Sequence, residues 1–427
     1  MQIISTEFGE IPKTWDVKKV KDVGRVVTGK TPPTKEQNFY GNEFLFVRIP
    51  DMGQSVRIKE ASVMLSAIGA NYMPSLRLPP DSVMVSCIAT IGNVGITSKD
   101  SFTNQQINSI IPNPKVIIPE WIYYFFKLHT NYLESLGGGG SVYTNISKSK
   151  FENAIIAVPP LPEQRAITKV LFDFDEKIEL NNQINKTLEA IGQALFWQWF
   201  VDFEFPDKNG KPYKSSGGKM IDSELGEIPE GWAVKEISDC GEVVCGKTPP
   251  TADKDNYGDD IFFVTIPDMR GQAFVIKTER RLSKKGATTQ KKKELPPSAI
   301  CVSCIATPGL VSLTSGLSHT NQQINSIVCN KDTSPFFMYY KMLDKSEEIK
   351  SMGLGGTATL NLNTGNFARI KVVVPEKAIM GSFHKTAMPF MERILSNSIE
   401  NDGLCSIRDS LLPKLMSGKV RVEGFNR

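Results

Sequence analysis

Two octapeptides have the residues to hold a phosphate. GRVVTGKT (24–31) and GEVVCGKT (241–248) both satisfy the spacing G-x-x-x-x-G-K-[ST]. In a nucleotide-binding loop the backbone N–H groups of that motif cradle phosphates, the Lys reaches the terminal phosphate and the hydroxyl meets Mg²⁺. The chemistry requires a helix to begin directly after the motif, so that its free N–H groups point at the anion. Here Pro-Pro follows both times, at 32–33 and 249–250. Proline has no N–H, and the residue before it is pushed out of the helical region. The loop interiors, RVVT and EVVC, are stiff where close wrapping favours small residues, and the preceding VKKVKDV and VKEISDC are half polar. Both motifs therefore read as a strand followed by a turn that presents Lys30 and Thr31, or Lys247 and Thr248.

Other catalytic arrangements fail in the same way. CVSC (301–304) offers one cysteine pair without a second, in a strand-like run where i and i+3 face opposite sides. It reads as two core cysteines, and no metal site is expected. His129, His319 and His384 do not recur at matching places. No [DN]-P-P-[YF] tetrad, nuclease carboxylate cluster or G-x-S-x-G is present, so no catalytic residue is assigned. The first residues, MQIISTEFGEIPKTW, carry acids and no apolar core, so a signal peptide is not expected. No run of eighteen apolar residues suggests a membrane span. Seven scattered cysteines fit a reduced, cytoplasmic protein. The net charge of +4 neither requires nor excludes a polyanionic partner.

The elements that carry the motifs are written twice. A shift of 217 residues lays GEIPKTWDVKKVKDVGRVVTGKTPPT (9–34) on GEIPEGWAVKEISDCGEVVCGKTPPT (226–251). It also lays FVRIPDM (46–52) on FVTIPDM (263–269), and repeats VSCIAT and TNQQINSI. After a one-residue deletion, SLGGGGSVYTNI (135–146) meets SMGLGGTATLNL (351–362). Each copy has short β-branched runs bounded by turn residues, and PEWIYYFFKLHTNYLESL (119–136) reads as a helix opened by Pro119.

A long helical pattern follows each copy. Residues 163–200 keep an apolar spacing of three or four through Ile178, Asn181, Leu188, Ile191 and Leu195. The second seam is weaker, through Ile394, Asn397, Leu404, Ile407 and Leu411, and Gly403 and Pro413 predict irregularity. Asn181 and Asn397 correspond; either they are buried polar residues that fix register, or they are exposed asparagines on a frayed face. The expected division is 1–160, globular; 161–201, central helix; 202–225, a polar linker; 226–376, globular; 377–417, distal helix; 418–427, tail.

Two related globular units, each followed by a long helix, resemble the specificity subunit of type I restriction-modification systems. The local phrases agree: GEIPKTW and SELGEIPEGW at the domain starts, VPPLPEQRAI at the first exit, LEAIGQALFWQWFVDFEF closing the central helix, and IRDSLLPKLMSGKV near the end. The second exit, VPEKAIMGSFHK, lacks the Glu-Gln-Arg of the first. The resemblance spans essentially the whole chain. It implies an α+β fold: two repeated globular α/β target recognition domains, separated by two long antiparallel coiled-coil-like helices, with pseudo-twofold symmetry. It implies that each domain reads half of a split double-stranded DNA site and that the helices bind two methyltransferase subunits. Motor-nuclease subunits can join. S-adenosylmethionine, ATP and Mg²⁺ would belong to those partners, and this chain would hold no cofactor. A protein scaffold that never touches DNA, and a self-contained enzyme with an unrecognised site, are the competing readings.

DNA binding calls for Lys and Arg at phosphates and a few side chains at base edges. Residues 53–77 hold Arg57, Lys59, Arg77 and Glu60; the matching 270–294 hold nine basic and two acidic residues, among them Lys284, Lys285, Lys291, Lys292 and Lys293. Those lysines are expected at phosphates. Arg48 against Thr265, inside FVRIPDM and FVTIPDM, is the expected change of base preference. The glycine loops permit close backbone approach, which nominates Gly139, Gly140, Ser141 and Tyr143, and Gly355, Gly356 and Thr357. TNQQINSI reads first as a turn and strand, with Gln suited to adenine where it meets DNA. The plain alternatives are solvated charge, a surface strand position and a helix stop.

Overall fold

The computed structural model describes residues 3–53, 55–138, 145–353 and 362–422. The chain divides into two compact units, residues 1–179 with 403–427, and residues 180–402. The central helix, Leu161–Phe200, and the distal helix, Lys377–Met416, are each continuous over 40 residues. Each unit therefore owns one globular portion and part of both helices. The irregularity expected at Gly403 and Pro413 does not interrupt the distal helix.

Both globular portions repeat one topology. In the first, a five-stranded sheet runs Gly24–Thr28, Ile107–Pro112, Val83–Ser86, Val94–Thr97, Arg57–Ile58. All pairs are antiparallel except the last. A three-stranded sheet runs Ser101–Thr103, Tyr40–Val47, Met64–Leu65. The second unit has the same order from Gly241–Cys245 to Phe274–Val275, with Tyr257–Val264 central in its smaller sheet. The strand Val83–Ser86 is buried on both faces. Val83 and Val85 face one apolar cluster and Met84 another, which explains a continuous rather than alternating apolar run. Its counterpart explains CVSC: Cys301 and Cys304 lie in different clusters, and burial pushes their thiols up to about 12 and about 11. Neither is poised as a thiolate.

The helix expected over 119–136 breaks at His129 into Pro119–Leu128 and Thr130–Leu136. Trp121 through Phe126 are all buried. A helix apolar all round needs cover on every side. The sheet supplies one side; Ile167 and Leu171 of the central helix, with Leu412, Leu415 and Met416 of the distal helix, complete the same cluster.

The long helices run antiparallel where they meet in the second unit. Asn181 donates to Glu400 (2.7 Å) and Asn401 (2.9 Å), while Asn397 donates to Asn185 (2.8 Å) and Asn401 to Asn182 (2.8 Å). Asn181 and Asn397 are buried, so both belong to the seam as polar register points. Two seam residues need correction. Ile191 and Ile407 are 46% and 47% exposed. The working spacing runs through Leu188, Gly192, Leu195, Phe196 and Trp199, which are buried or half-buried. Gly192 takes the contact expected of Ile191, because a Cβ there would collide with the Tyr340 side chain.

The two helix–domain junctions are built differently at equivalent places. In the first unit the Tyr124 hydroxyl donates to Asp175 (2.6 Å), which also pairs with Arg408. Burial opposes the Arg408 charge, but Asp175 and Asp409 outweigh it and hold the guanidinium protonated. In the second unit the matching Tyr340 meets Met391 sulfur at 3.3 Å, beside Gly192. Residues 202–225 are no loose linker either. Met220–Ser223 pairs with Gly226–Pro229, and Phe205 stacks between Tyr213 (4.6 Å) and Trp232 (4.9 Å).

Neighbouring substitutions on the central helix should separate. Ile191→Asp should change stability by no more than about 0.5 kcal/mol, whereas Gly192→Ala should cost about 1–3 kcal/mol through overpacking; urea unfolding of the full chain measures both. Asp175→Met should cost about 1–3 kcal/mol, because the half-buried Arg408 keeps only Asp409 and the Tyr124 hydroxyl loses its acceptor, and adding Arg408→Met should restore part of that loss. A double variant whose loss equals the sum of the losses of Asp175→Met and Arg408→Met alone would show that the pair is uncoupled.

Candidate nucleic-acid interface

The repeated motifs, far apart in sequence, converge at one edge of each larger sheet. The strand Gly24–Thr28 lies against Ile107–Pro112. Beyond it, Gly29 N–H donates to the Ile107 carbonyl (3.1 Å) and Lys30 N–H to the Thr103 carbonyl (2.9 Å). The second unit repeats this with Gly246 on Ile324 (3.1 Å) and Lys247 on Thr320 (2.9 Å). A Cβ at Gly29 or Gly246 would collide with the Asn104 or Asn321 carbonyl oxygen. The glycine is thus required by close backbone approach, and GKT packs against TNQQ instead of opening a phosphate-wrapping helix.

That contact orients side chains. Thr31 Oγ1 donates to Gln105 Oε1 and Thr248 Oγ1 to Gln322 Oε1, both at 2.8 Å. These bonds commit the glutamine carbonyls and leave the NH₂ groups as donors. Lys30, Gln105, Lys247 and Gln322 are exposed. Asn104 and Asn321 brace the turn beneath, each donating to the glutamine two residues on (2.9 and 3.1 Å) and accepting its backbone N–H (3.2 and 3.1 Å).

The VSCIAT segments end at the same edge. Cys87 N–H donates to the Gln106 carbonyl and Cys304 N–H to the Gln323 carbonyl, each at 2.8 Å. The chain then turns through Ala89 (φ 66°) and Ala306 (φ 64°), both exposed. A left-handed backbone at a residue other than glycine costs about 1–3 kcal/mol, and such strain clusters at functional sites. The sequence shows the shared IAT but not this conformation. Gly139, Gly140, Ser141, Tyr143, Gly355, Gly356 and Thr357 lie outside the described residues. Of the residues that follow in sequence, Ile146 N–H donates to the Cys87 carbonyl and Leu362 N–H to the Cys304 carbonyl, both at 2.9 Å.

Other expected contacts are committed within the domains. Arg57 is half-buried, paired with Asp81 (2.6 Å) and Glu120 (2.5 Å). Arg77 pairs with Asp100 and lies 5.2 Å from the Phe44 ring. Arg48 and Thr265 both precede a 3-10 turn whose aspartate accepts their backbone N–H at 2.8 Å. The Thr265 hydroxyl donates to that same Asp268 (2.6 Å), and Arg48 Nη2 donates to Ser62 (2.7 Å). The position expected to set base preference is therefore a turn cap. Lys285 pairs with Asp253 and Asp255, both at 3.1 Å. Lys284, Lys291 and Lys292 are exposed and Lys293 is half-buried, the last three forming a 3-10 turn.

Among the described residues no group of three or more His, Cys, Asp or Glu could hold a metal ion, and no helix is long and apolar enough to cross a membrane.

Comparison with known proteins agrees with the geometry. A family model described as the type I restriction modification DNA specificity domain matches residues 12–190 and again 229–401. A type I restriction enzyme specificity subunit of Haemophilus influenzae is 37% identical over 73% of this chain and 79% of its own length. One from Methanocaldococcus jannaschii is 30% identical over 98% of this chain and 96% of its own. The crystal structure of the S subunit of a type I system from M. genitalium shares the fold, with a TM-score of 0.60 at 15% identity over 95% of this chain and 96% of that one. A duplicated specificity domain, carried on two long helices and matched nearly end to end by such subunits, makes this chain a member of the type I restriction-modification DNA specificity subunit family.

Proposed function

We propose that the chain reads a bipartite duplex DNA target, one half-site per unit, and contributes no catalytic chemistry of its own. The observation that carries this reading is the duplicated edge. Lys30 and Gln105, and Lys247 and Gln322, stand exposed on one hydrogen-bonded frame built twice. Identical side chains on both copies suit what both half-sites share, which is phosphate or a common base. The long helices would dock two adenine methyltransferase subunits, and motor-nuclease subunits could join. S-adenosylmethionine, ATP and Mg²⁺ would be held by those partners. Two motifs that mimic a nucleotide loop, each closed by Pro-Pro and packed on TNQQ, support the absence of a nucleotide site here.

Mapping methylated adenines in cells with and without the gene tests the whole reading, which requires a two-part motif that disappears with the gene. Lys30→Ala and Lys247→Ala should each weaken binding by a similar factor on every duplex tested. Each should also flatten the dependence of log affinity on log salt by roughly one unit. Replacing Lys291, Lys292 and Lys293 together by Ala should act in the same way, and more strongly. A salt dependence unchanged in all three variants would place the duplex elsewhere on the chain.

A further inference from the structure

The short helix beside the edge of the first unit has a division of labour that its sequence does not announce. Residues 67–72 are Ala-Ile-Gly-Ala-Asn-Tyr; their counterparts 284–289 are Lys-Lys-Gly-Ala-Thr-Thr. The N-cap and the two buried positions within the helix are kept. Ser66 and Ser283 cap the helices, accepting from the N–H of Gly69 (3.1 Å) and Gly286 (3.0 Å). Gly69 and Gly286 press on the carbonyls of Phe39 and Asn256, where a Cβ would collide, and Ala70 and Ala287 are buried. Every exposed position is changed: 67, 68, 71 and 72 against 284, 285, 288 and 289. A frame held constant under an exposed face that varies completely is what a reading element requires.

We infer that Ile68, Asn71 and Tyr72 read base edges, at an A·T pair, in the half-site bound by the first unit. This rests on the edge being the DNA-facing surface. Asn71 and Ile68 lie three residues apart, on neighbouring positions of one helix face. Asn pairs bidentately with adenine N6 and N7, and an apolar side chain fits the thymine methyl of the same pair; a helix of this width enters the major groove. Ile68 is 56% and Tyr72 48% exposed. Tyr72 is not loose: it stacks on Phe39 (ring centroids 4.8 Å, 27°), with Lys30 Nζ 5.7 Å from its ring. The helix is thereby tied to the lysine of the shared edge. The second unit withdraws the same capacity. Thr288 and Thr289 return their hydroxyls to the carbonyls of Lys284 (2.8 Å) and Gly286 (2.6 Å), and Lys285 is held by Asp253 and Asp255. The two half-sites should therefore differ at the pairs this helix touches, although the repeat as a whole predicts related halves.

The test grafts the second unit's residues onto the first: Ile68→Lys, Asn71→Thr and Tyr72→Thr in the full chain, complexed with methyltransferase subunits. Preferred sequences are then selected from a randomised duplex library, and folding is checked by thermal unfolding. The expected result is an A·T preference weakened at least about tenfold (about 1.4 kcal/mol) at one or two adjacent pairs of one half-site, with the other half-site untouched. If the triple variant unfolds, Asn71→Ala and Ile68→Ala carry the test separately. Unchanged preferences, a uniform loss across all sequences, or a loss of subunit assembly with preferences intact would each overturn the inference. Lys30→Ala separates the two levels. A uniform loss for Lys30→Ala with no effect of the graft defeats base reading alone, whereas no effect of either variant defeats the edge itself.

Discussion

Everything at the candidate interface depends on one close backbone approach. Gly29 and Gly246 lie so near the Asn104 and Asn321 carbonyls that no other residue fits. Their N–H bonds, with those of Lys30 and Lys247, extend the sheet edge beyond its last strand residue. Release that contact and Thr31 loses Gln105, the TNQQ turn loses its cover, and Cys87 no longer has a fixed partner in Gln106. The same sequence of consequences holds for Thr248, Gln322 and Cys304. A motif that mimics a phosphate loop in sequence thus uses its glycine to meet its own chain, and its lysine is what remains for an external anion.

The duplication made much of this legible before any geometry. A repeat of 217 residues implies one topology used twice, and both units have it, strand for strand. The rejection of the nucleotide motif rested on Pro-Pro, a local rule that tertiary context does not override. Side-chain commitments were less legible. Arg57 and Arg77 look like free cations in sequence, yet their carboxylate partners come from residues 23 to 63 positions away, which composition cannot locate. Arg48 against Thr265 looked like a change of reading because it stood alone in an identical frame. In the structure the frame itself, an aspartate-capped turn, uses both residues.

The long helices show a different limit. Counting apolar residues at three and four selects Ile191 and Ile407, and both face outward. The seam instead passes through Gly192, which no apolar pattern would choose. Glycine is there because Tyr340 needs the space of a side chain. A hydrophobic periodicity finds a helix and its approximate face. It does not find the places where a partner from another element fills the seam.

Duplication leaves two junctions that match in shape and differ in chemistry. Asp175 corresponds to Met391, Arg408 to Gly192, and Tyr124 to Tyr340. Each change on one helix is balanced by the change on the helix it meets. Within the first unit the tyrosine hydroxyl, the carboxylate and the guanidinium satisfy one another. Within the second, thioether and glycine leave no charge to satisfy. A mixed junction would set Asp175 against Gly192, with no cation to meet it, or Arg408 against Met391, with only the exposed Asp409 to meet it, and either loses the pairing that offsets burial. The paired differences therefore let two halves of common design each select their own helix segment. The exposed helix residues 67–72 and 284–289 follow the opposite rule: there the buried positions are held constant and the exposed face is free to change.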